Sequence, residues 1–172
     1  MTEIMEENSS TMTEVGKKLA GKYLTFKLAD EEYGLEILKV QEIIQMQEVT
    51  RIPKTPEFVR GVINLRGKVI PVIELKKKFG MKCTEDTDKT CITVVQIGDQ
   101  EQTLTMGIII DEVSEVLDIE AENIQETPSF GKNINTEFIL GMGKIGDNVK
   151  MLLDIDKVLT AEDVTSLEKL AH

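Results

Sequence analysis

Gly141-Met142-Gly143-Lys144-Ile145-Gly146 has the G-x-G-x-x-G spacing of a dinucleotide-binding loop. That chemistry needs a strand-to-helix turn, so that a helix N-terminus faces the pyrophosphate. The residues that follow, Asp147 to Leu153, carry a strand pattern, so no cofactor is expected. Asp154 and Asp156 form D-x-D. On a strand, alternate residues share a face, and two such carboxylates are a start toward a divalent cation site. EF-hand spacing is absent, and Asp86 and Asp88 lack a partner cluster, so no metal is expected. Cys83 and Cys91 lie eight residues apart with no C-x-x-C. The single histidine, His172, is the last residue, which leaves no His-assisted nucleophile. The expectation is a protein that is not an enzyme. A small enzyme using Asp154, Asp156 or Cys91 is the competing class.

One stretch remains without an assigned role. Val59–Ile73 reads VRGVINLRGKVIPVI, two apolar runs around Asn64-Leu65-Arg66-Gly67. Asn64 and Gly67 suit a turn, and Gly67 can take positive φ. Arg66 is not an ordinary turn choice. Its planar guanidinium offers five donors in a fixed fork, suited to carboxylates or amides of a partner.

The elements around these residues are short. Tyr23 to Leu28 alternates apolar and polar, a half-buried strand, and Ala29 to Glu32 reads as a turn. Gly34–Ile44 suits a strand at its start, but Ile37, Val40 and Ile44 have helical spacing; both readings stay open. Pro71 cannot donate to a sheet ladder, so its strand is expected at an edge or a bulge. Thr160 to Leu170 reads as a helix capped by Thr160, with Val164, Leu167 and Leu170 on one face.

The second half repeats the first. Leu24–Asp30 resembles Thr93–Asp99, Tyr33–Ile44 lies over Met106–Leu117, and Thr55-Pro56 over Thr127-Pro128. Phe58–Leu75 maps without a gap onto Phe138–Ile155, at an offset of 80. The reading is two copies of one all-β unit, each of about five short strands that can close into a small barrel. A unit of about 65 residues has a marginal core alone, so the two should share one. Residues 1–20 are expected as a mobile tail, 21–158 as one domain with subdomains about 21–85 and 86–158, and 159–172 as a C-terminal helix. In the repeat, Gly146 occupies the place of Arg66, so the turn itself does not require an arginine.

Composition narrows the partners. The chain has 172 residues, 41% apolar, with no tryptophan, so the core must be aliphatic. Its net charge of −11 repels phosphate backbones and anionic lipid, so nucleic acid and direct membrane binding are not expected. The N-terminus lacks the basic and apolar regions of a signal peptide, and no apolar run approaches a membrane span. The cysteine usage fits a reducing cytoplasm. A polyproline groove would need more aromatic residues than two tyrosines and five phenylalanines.

YLTFKLADEEYGLEILKVQEII and RIPKTPEFVRGVINLRGKVIPVIELKKKFG together resemble the CheW family, the coupling proteins of bacterial chemotaxis. The resemblance continues through MGIIIDEVSEVL and TEFILGMGKIGDNVKMLLDIDKVL, covering about residues 21–160. It implies an all-β fold of two five-stranded SH3-like barrels packed on a shared core. It also implies a non-catalytic adaptor between chemoreceptor cytoplasmic tips and the regulatory domain of the histidine kinase CheA, held at membrane arrays through these partners. A coupling protein for pilus-based motility is the alternative. By the same resemblance Val40, Glu42, Ile43, Gly61, Asn64, Leu65 and Arg66 are expected to bind receptor. From the residues alone, Val40 and Ile43 are equally readable as core, Gly61 serves backbone geometry, and Leu65 either caps the core or fills a partner groove. The resemblance puts the kinase contact on the second barrel without naming its residues.

Overall fold

The structure is a computed structural model, described over residues 14–82, 85–98, 101, 103–128 and 137–159, with 163, 164, 167 and 169 beyond. Among the described residues eleven strands are arranged in two sheets. The first half contributes α1 (Glu14–Leu19), β1 (Gly21–Leu28), β2 (Glu31–Glu36), β3 (Val40–Gln45), β4 (Val59–Leu65), β5 (Lys68–Glu74) and α2 (Leu75–Lys78). The second contributes β6 (Cys91–Gly98), β7 (Thr103–Ile110), β8 (Glu112–Ile119), β9 (Ile124–Gln125), β10 (Ile139–Ile145), β11 (Asn148–Leu153) and α3 (Ile155–Val158).

The repeat is real in three dimensions. At the offset of 80, β4 falls on β10 and α2 on α3. Both hairpins carry a register shift at the same place, between Val59 and Gly61 and between Ile139 and Gly141. Glu74 N–H donates to the Phe58 carbonyl at 2.7 Å, and Asp154 N–H to that of Phe138 at 2.8 Å.

The strands are exchanged between the copies. One sheet runs β8-β1-β2-β11-β10-β9 and the other β3-β6-β7-β5-β4. The β1–β2 hairpin of the first copy therefore completes the sheet of the second, and β6–β7 completes that of the first. Two short parallel ladders make the joints, Gly34 beside Leu152 and Gly107 beside Val72. The boundary expected near residue 85 separates the copies in sequence but does not separate the sheets.

The sheet ends meet by one device used twice. Thr50, after β3, exchanges both backbone hydrogen bonds with Val62 of β4, at 2.9 Å each. The short β9, after β8, pairs with Met142 and Gly143 of β10. Pro71 departs from the expectation of an edge or bulge. Its strand, β5, lies between β7 and β4, and the register shift is at Val59/Gly61. Pro71 is tolerated because Val62 opposite turns its N–H and C=O to Thr50, and on the other side the parallel ladder to β7 begins only at Val72, so neither neighbour asks a donor of it.

Strands buried on both faces explain the long apolar runs. In β6, Ile92 and Val94 enter the interior of their own sheet, while Val95 and Ile97 face the shared core. That shared core draws Phe26, Tyr33 and Leu35 from one sheet and Ile73, Met106 and Ile108 from the other. Phe26, Tyr33, Phe79 and Phe138 form a ring-to-ring series across it, with centroids 6.0, 6.2 and 4.9 Å apart. Each buried aliphatic or aromatic side chain contributes about 1.5–3 kcal/mol, and most of this seam needs both copies.

The structure describes three further stretches whose form the sequence left to packing. The tail of residues 1–20 is helical from Glu14 to Leu19, because Leu19 packs beside Ile124 and its carbonyl accepts the Tyr23 hydroxyl at 2.6 Å. Residues 1–13 lie outside the described residues. The ambiguous Gly34–Ile44 stretch is a strand, a 3-10 turn at Ile37–Lys39, and a second strand. At the C-terminus Asp163, Val164, Leu167 and Lys169 are helical, with Leu167 fully buried in the shared core and Val164 against it. Thr160 and Leu170 lie outside the described residues.

If the exchange governs stability, fragments 21–85 and 86–158 expressed separately should show no cooperative thermal transition by circular dichroism. A cooperative melt from either fragment would show that one copy suffices.

Candidate functional site

The β4–β5 hairpin closes with Leu65 opposite Lys68, leaving Arg66 and Gly67 as a two-residue turn. Both have positive φ, 52° and 87°, as a type I′ turn requires. Gly67 fits there freely, whereas an arginine is strained. Asn64 Oδ1 accepts the Gly67 N–H at 2.8 Å and supports the turn. In the second copy the turn is Gly146-Asp147, and only Gly146, at 60°, has positive φ. The strained arginine thus stands where the repeat uses glycine.

The Arg66 guanidinium reaches back to β3. Its Nη1 donates to Glu42 Oε1 at 2.9 Å, and Nη2 donates to Oε2, a two-pronged pair. The Arg66 side chain is 70% exposed, so the contact lies on the surface. It ties together β3 and β4–β5, which are at opposite ends of the sheet order. The hydrogen bond from Arg66 holds the Glu42 carboxyl below its ordinary range, and Glu42 in turn raises the guanidinium. A depressed carboxylate pKa stabilises the fold above the unfolded value and loses that contribution as pH falls through the folded one. The latch is therefore closed at neutral pH and opens in acid.

The readings left open for neighbouring residues are resolved by burial. In β3, burial alternates, with Val40, Glu42 and Ile44 half-buried and Ile43 exposed. Val40 packs against the shared core, so it is part of the interior at the rim of the site. Ile43 is a surface residue, next to Glu42. Leu65 caps the core, packed against the Ile63, Ile70 and Val72 cluster. Gly61 has φ 148°, and a Cβ there would lie 2.0 Å from the Thr50 carbonyl oxygen. It permits the closure of the sheet ends rather than presenting chemistry. Val69, paired with Asn64 and 38% exposed, adds an apolar side chain beside the tip. It was legible only through the hairpin register.

The other chemical candidates are accounted for. Gly141–Gly146 spans β10 and a hairpin turn, with β11 following, so the G-x-G-x-x-G spacing lacks its helix. Asp154 caps α3, accepting the Asp156 N–H at 3.1 Å. Asp156 accepts Lys39 Nζ at 2.8 Å and the Gly98 N–H at 2.9 Å. Asp86 accepts from Arg60 at 2.6 Å, and that arginine also pairs with Glu74. No group of acidic, His or Cys side chains able to hold a metal occurs among the described residues. Burial pushes the Cys91 thiol up, away from thiolate chemistry. Cys83 and His172 lie outside the described residues.

Fold and site define an interaction module: twin β units carrying an exposed, salt-bridged hairpin tip. The CheW-like domain family matches residues 22–163. The chemotaxis protein CheW of Klebsiella aerogenes is 38% identical over 156 residues, 91% of this chain and 92% of its own. That of Treponema pallidum is 34% identical, over 87% and 86%. The crystal structure of the scaffolding protein TtCheW from Thermoanaerobacter tengcongensis superposes with a TM-score of 0.73 at 36% identity, covering 84% of this chain and 96% of that one. The chain belongs to the CheW family, and its function is that of a chemotaxis coupling adaptor. These chemotaxis relatives do not favour the pilus-motility alternative.

In Arg66→Gly, relief of the strained turn opposes loss of the exposed Glu42 pair, which contributes little in water, so the melting temperature should stay close to that of wild type. A clear drop in a thermal denaturation scan would make Arg66 a structural residue.

Proposed function

We propose that this chain bridges chemoreceptor cytoplasmic tips to the regulatory domain of the histidine kinase CheA, and that the receptor engages the Arg66 hairpin tip. The observation that carries this reading is the exposed Arg66 side chain, kept in an unfavourable backbone conformation that the repeat avoids. Around it Glu42, Ile43, Asn64 and Val69 offer charge, amide and apolar surface to one partner. Val40, Gly61 and Leu65 belong to the same site by shaping its floor and backbone. Arg66 would engage receptor carboxylates or amides through its fork of donors.

The kinase contact falls on the second copy in this reading. At the positions equivalent to Ile43 and Val69, that copy exposes Val116 and Val149, 52% and 57% accessible. Paired apolar residues on a strand edge and a hairpin suit docking against another β unit. The adaptor acts without catalysis, in the cytoplasm, and reaches membrane arrays through its partners. Among the described residues no helix is long and apolar enough to cross a membrane.

Co-sedimentation with a receptor cytoplasmic fragment and the chemotaxis kinase tests both contacts. Arg66→Ala should weaken receptor binding about 5- to 100-fold, the range for truncating an interface arginine, with its melting curve intact. Val149→Ser should instead lower kinase recovery and spare the receptor. Wild type that brings down neither partner, when all three come from one genome, would overturn the bridging reading.

A further inference from the structure

In each sheet a hairpin and helix of one copy act as host to a guest hairpin from the other copy. Two ion pairs join host to guest at corresponding places, with their charges reversed. In the first sheet Lys76, the second residue of α2, donates to Asp111 at the corner between β7 and β8, at 2.7 Å. In the second sheet Asp156, the second residue of α3, accepts from Lys39 at the corner between β2 and β3, at 2.8 Å. Positions 76 and 156 correspond at the offset of 80, and Asp111 stands one residue before the counterpart of Lys39. Each carboxylate also accepts a backbone N–H from the hairpin of the opposite sheet, Asp111 from Ala29 at 2.7 Å and Asp156 from Gly98 at 2.9 Å. The cation thus comes from the host in one clamp and from the guest in the other. Buried Lys150 of β11 and Glu32 of β2 form a third host–guest pair. Their counterparts in the first sheet, Ile70 and Thr105, carry no charge.

The arrangement these pairs oppose is like copy with like copy. Only Ile37–Lys39 link β2 to β3. In one chain these three residues are too few for β1–β2 to enter the sheet that holds β3, where β2 and β3 would run parallel. A first copy can therefore receive β1–β2 only from a second molecule. There Lys39 would face Lys76, and the Ala29 N–H would lose its acceptor. Two second copies would set Asp111 against Asp156 and leave Lys150 buried opposite Thr105, a charge without a partner. Glu36 and Asp154 also face Lys39. Glu36 belongs to β2 and goes with Lys39 in either pairing. Glu74, the counterpart of Asp154, is already taken by Arg60 and Lys77.

We propose that these ion pairs choose which hairpin completes which sheet, and so keep a molecule from exchanging hairpins with the like copy of a second molecule of this chain. Opposite charges favour the crosswise arrangement and like charges penalise the other, the two halves of specificity. Lys76–Asp111 carries more of the choice than Lys39–Asp156, because its lysine is 7% exposed against 30% and water screens it less. The choice falls to side chains because the backbone makes none: over five strands both sheets have the same order and the same parallel joint.

The experiment uses the full chain with Glu32→Thr and Lys150→Ile, which give the second sheet the uncharged pair of the first. Variants of this parent are compared by light scattering and by thermal melts over a range of protein concentration. Lys76→Asp with Asp156→Lys keeps the net charge, but makes both crosswise clamps repulsive and both like clamps attractive. It should melt about 5–15 °C below the parent, run partly as a dimer or larger assembly, and melt higher as concentration rises, by mass action. Lys39→Asp with Asp111→Lys should behave the same way. All four changes together restore opposite charges crosswise, and should return the parent's size and a melt independent of concentration. If the two-residue variants melt lower but stay monomeric at every concentration, the ion pairs hold the fold without choosing partners, and the proposal falls. It falls also if those variants behave as the parent, or if the four-residue variant assembles as they do.

Discussion

The two short parallel ladders, Gly34 beside Leu152 and Gly107 beside Val72, carry the rest of the architecture. Each joins a hairpin of one repeat to a hairpin of the other. Through them, neither copy owns a complete sheet. A parallel joint needs a long connection between its strands: residues 37–147 run between β2 and β11, and residues 75–102, with β6 among them, between β5 and β7. The shared core follows: with strands crossing in both directions, the apolar faces that would be exposed on a lone unit meet between the sheets. Phe26, Tyr33, Phe79 and Phe138 fill that seam from both halves.

This exchange also positions the candidate site. The β3 strand and the β4–β5 hairpin are at opposite ends of their sheet order, with two second-copy strands between them. Curling the sheet brings the ends together, and the Thr50–Val62 pairing locks them. Glu42 and Arg66, 24 residues apart, come into two-pronged contact only because of that closure. Gly61 belongs to the same event, since any Cβ would strike the Thr50 carbonyl. The site is thus an edge-to-edge junction with an arginine at its lip, and its neighbours divide into those that build the junction and those that face outward.

The near-symmetry of the copies makes their differences informative. Where one tip has Arg66 the other has Gly146, and where one turn has Leu38 the equivalent position is Asp111. The apolar outward residues Ile43 and Val69 are matched by Val116 and Val149. The scaffold is thus shared between the copies, while the side chains at their hairpin tips and turns differ in chemistry.

Much of this architecture is legible in the order of the residues. Alternating apolar residues mark the strands, the offset of 80 marks the repeat, and the N-L-R-G turn marks Arg66, because each is local and side-chain period follows backbone geometry. The failed chemical motifs are legible for the same reason, since G-x-G-x-x-G is followed by a strand pattern. Burial decided between Val40 and Ile43, which share an apolar type but fall on opposite faces once a bend separates β2 from β3. Packing, not propensity, made Glu14–Leu19 helical rather than part of a tail. Pro71 shows the limit most plainly: the residue forbids a donor, yet whether a donor is needed depends on which way Val62 faces and on where the ladder to β7 begins. Strand pairing between distant segments, and hence the exchange of hairpins and the Glu42–Arg66 latch, belonged to the tertiary structure alone. Sequence records which face of a strand is apolar, but only the closed fold determines which other strand covers it.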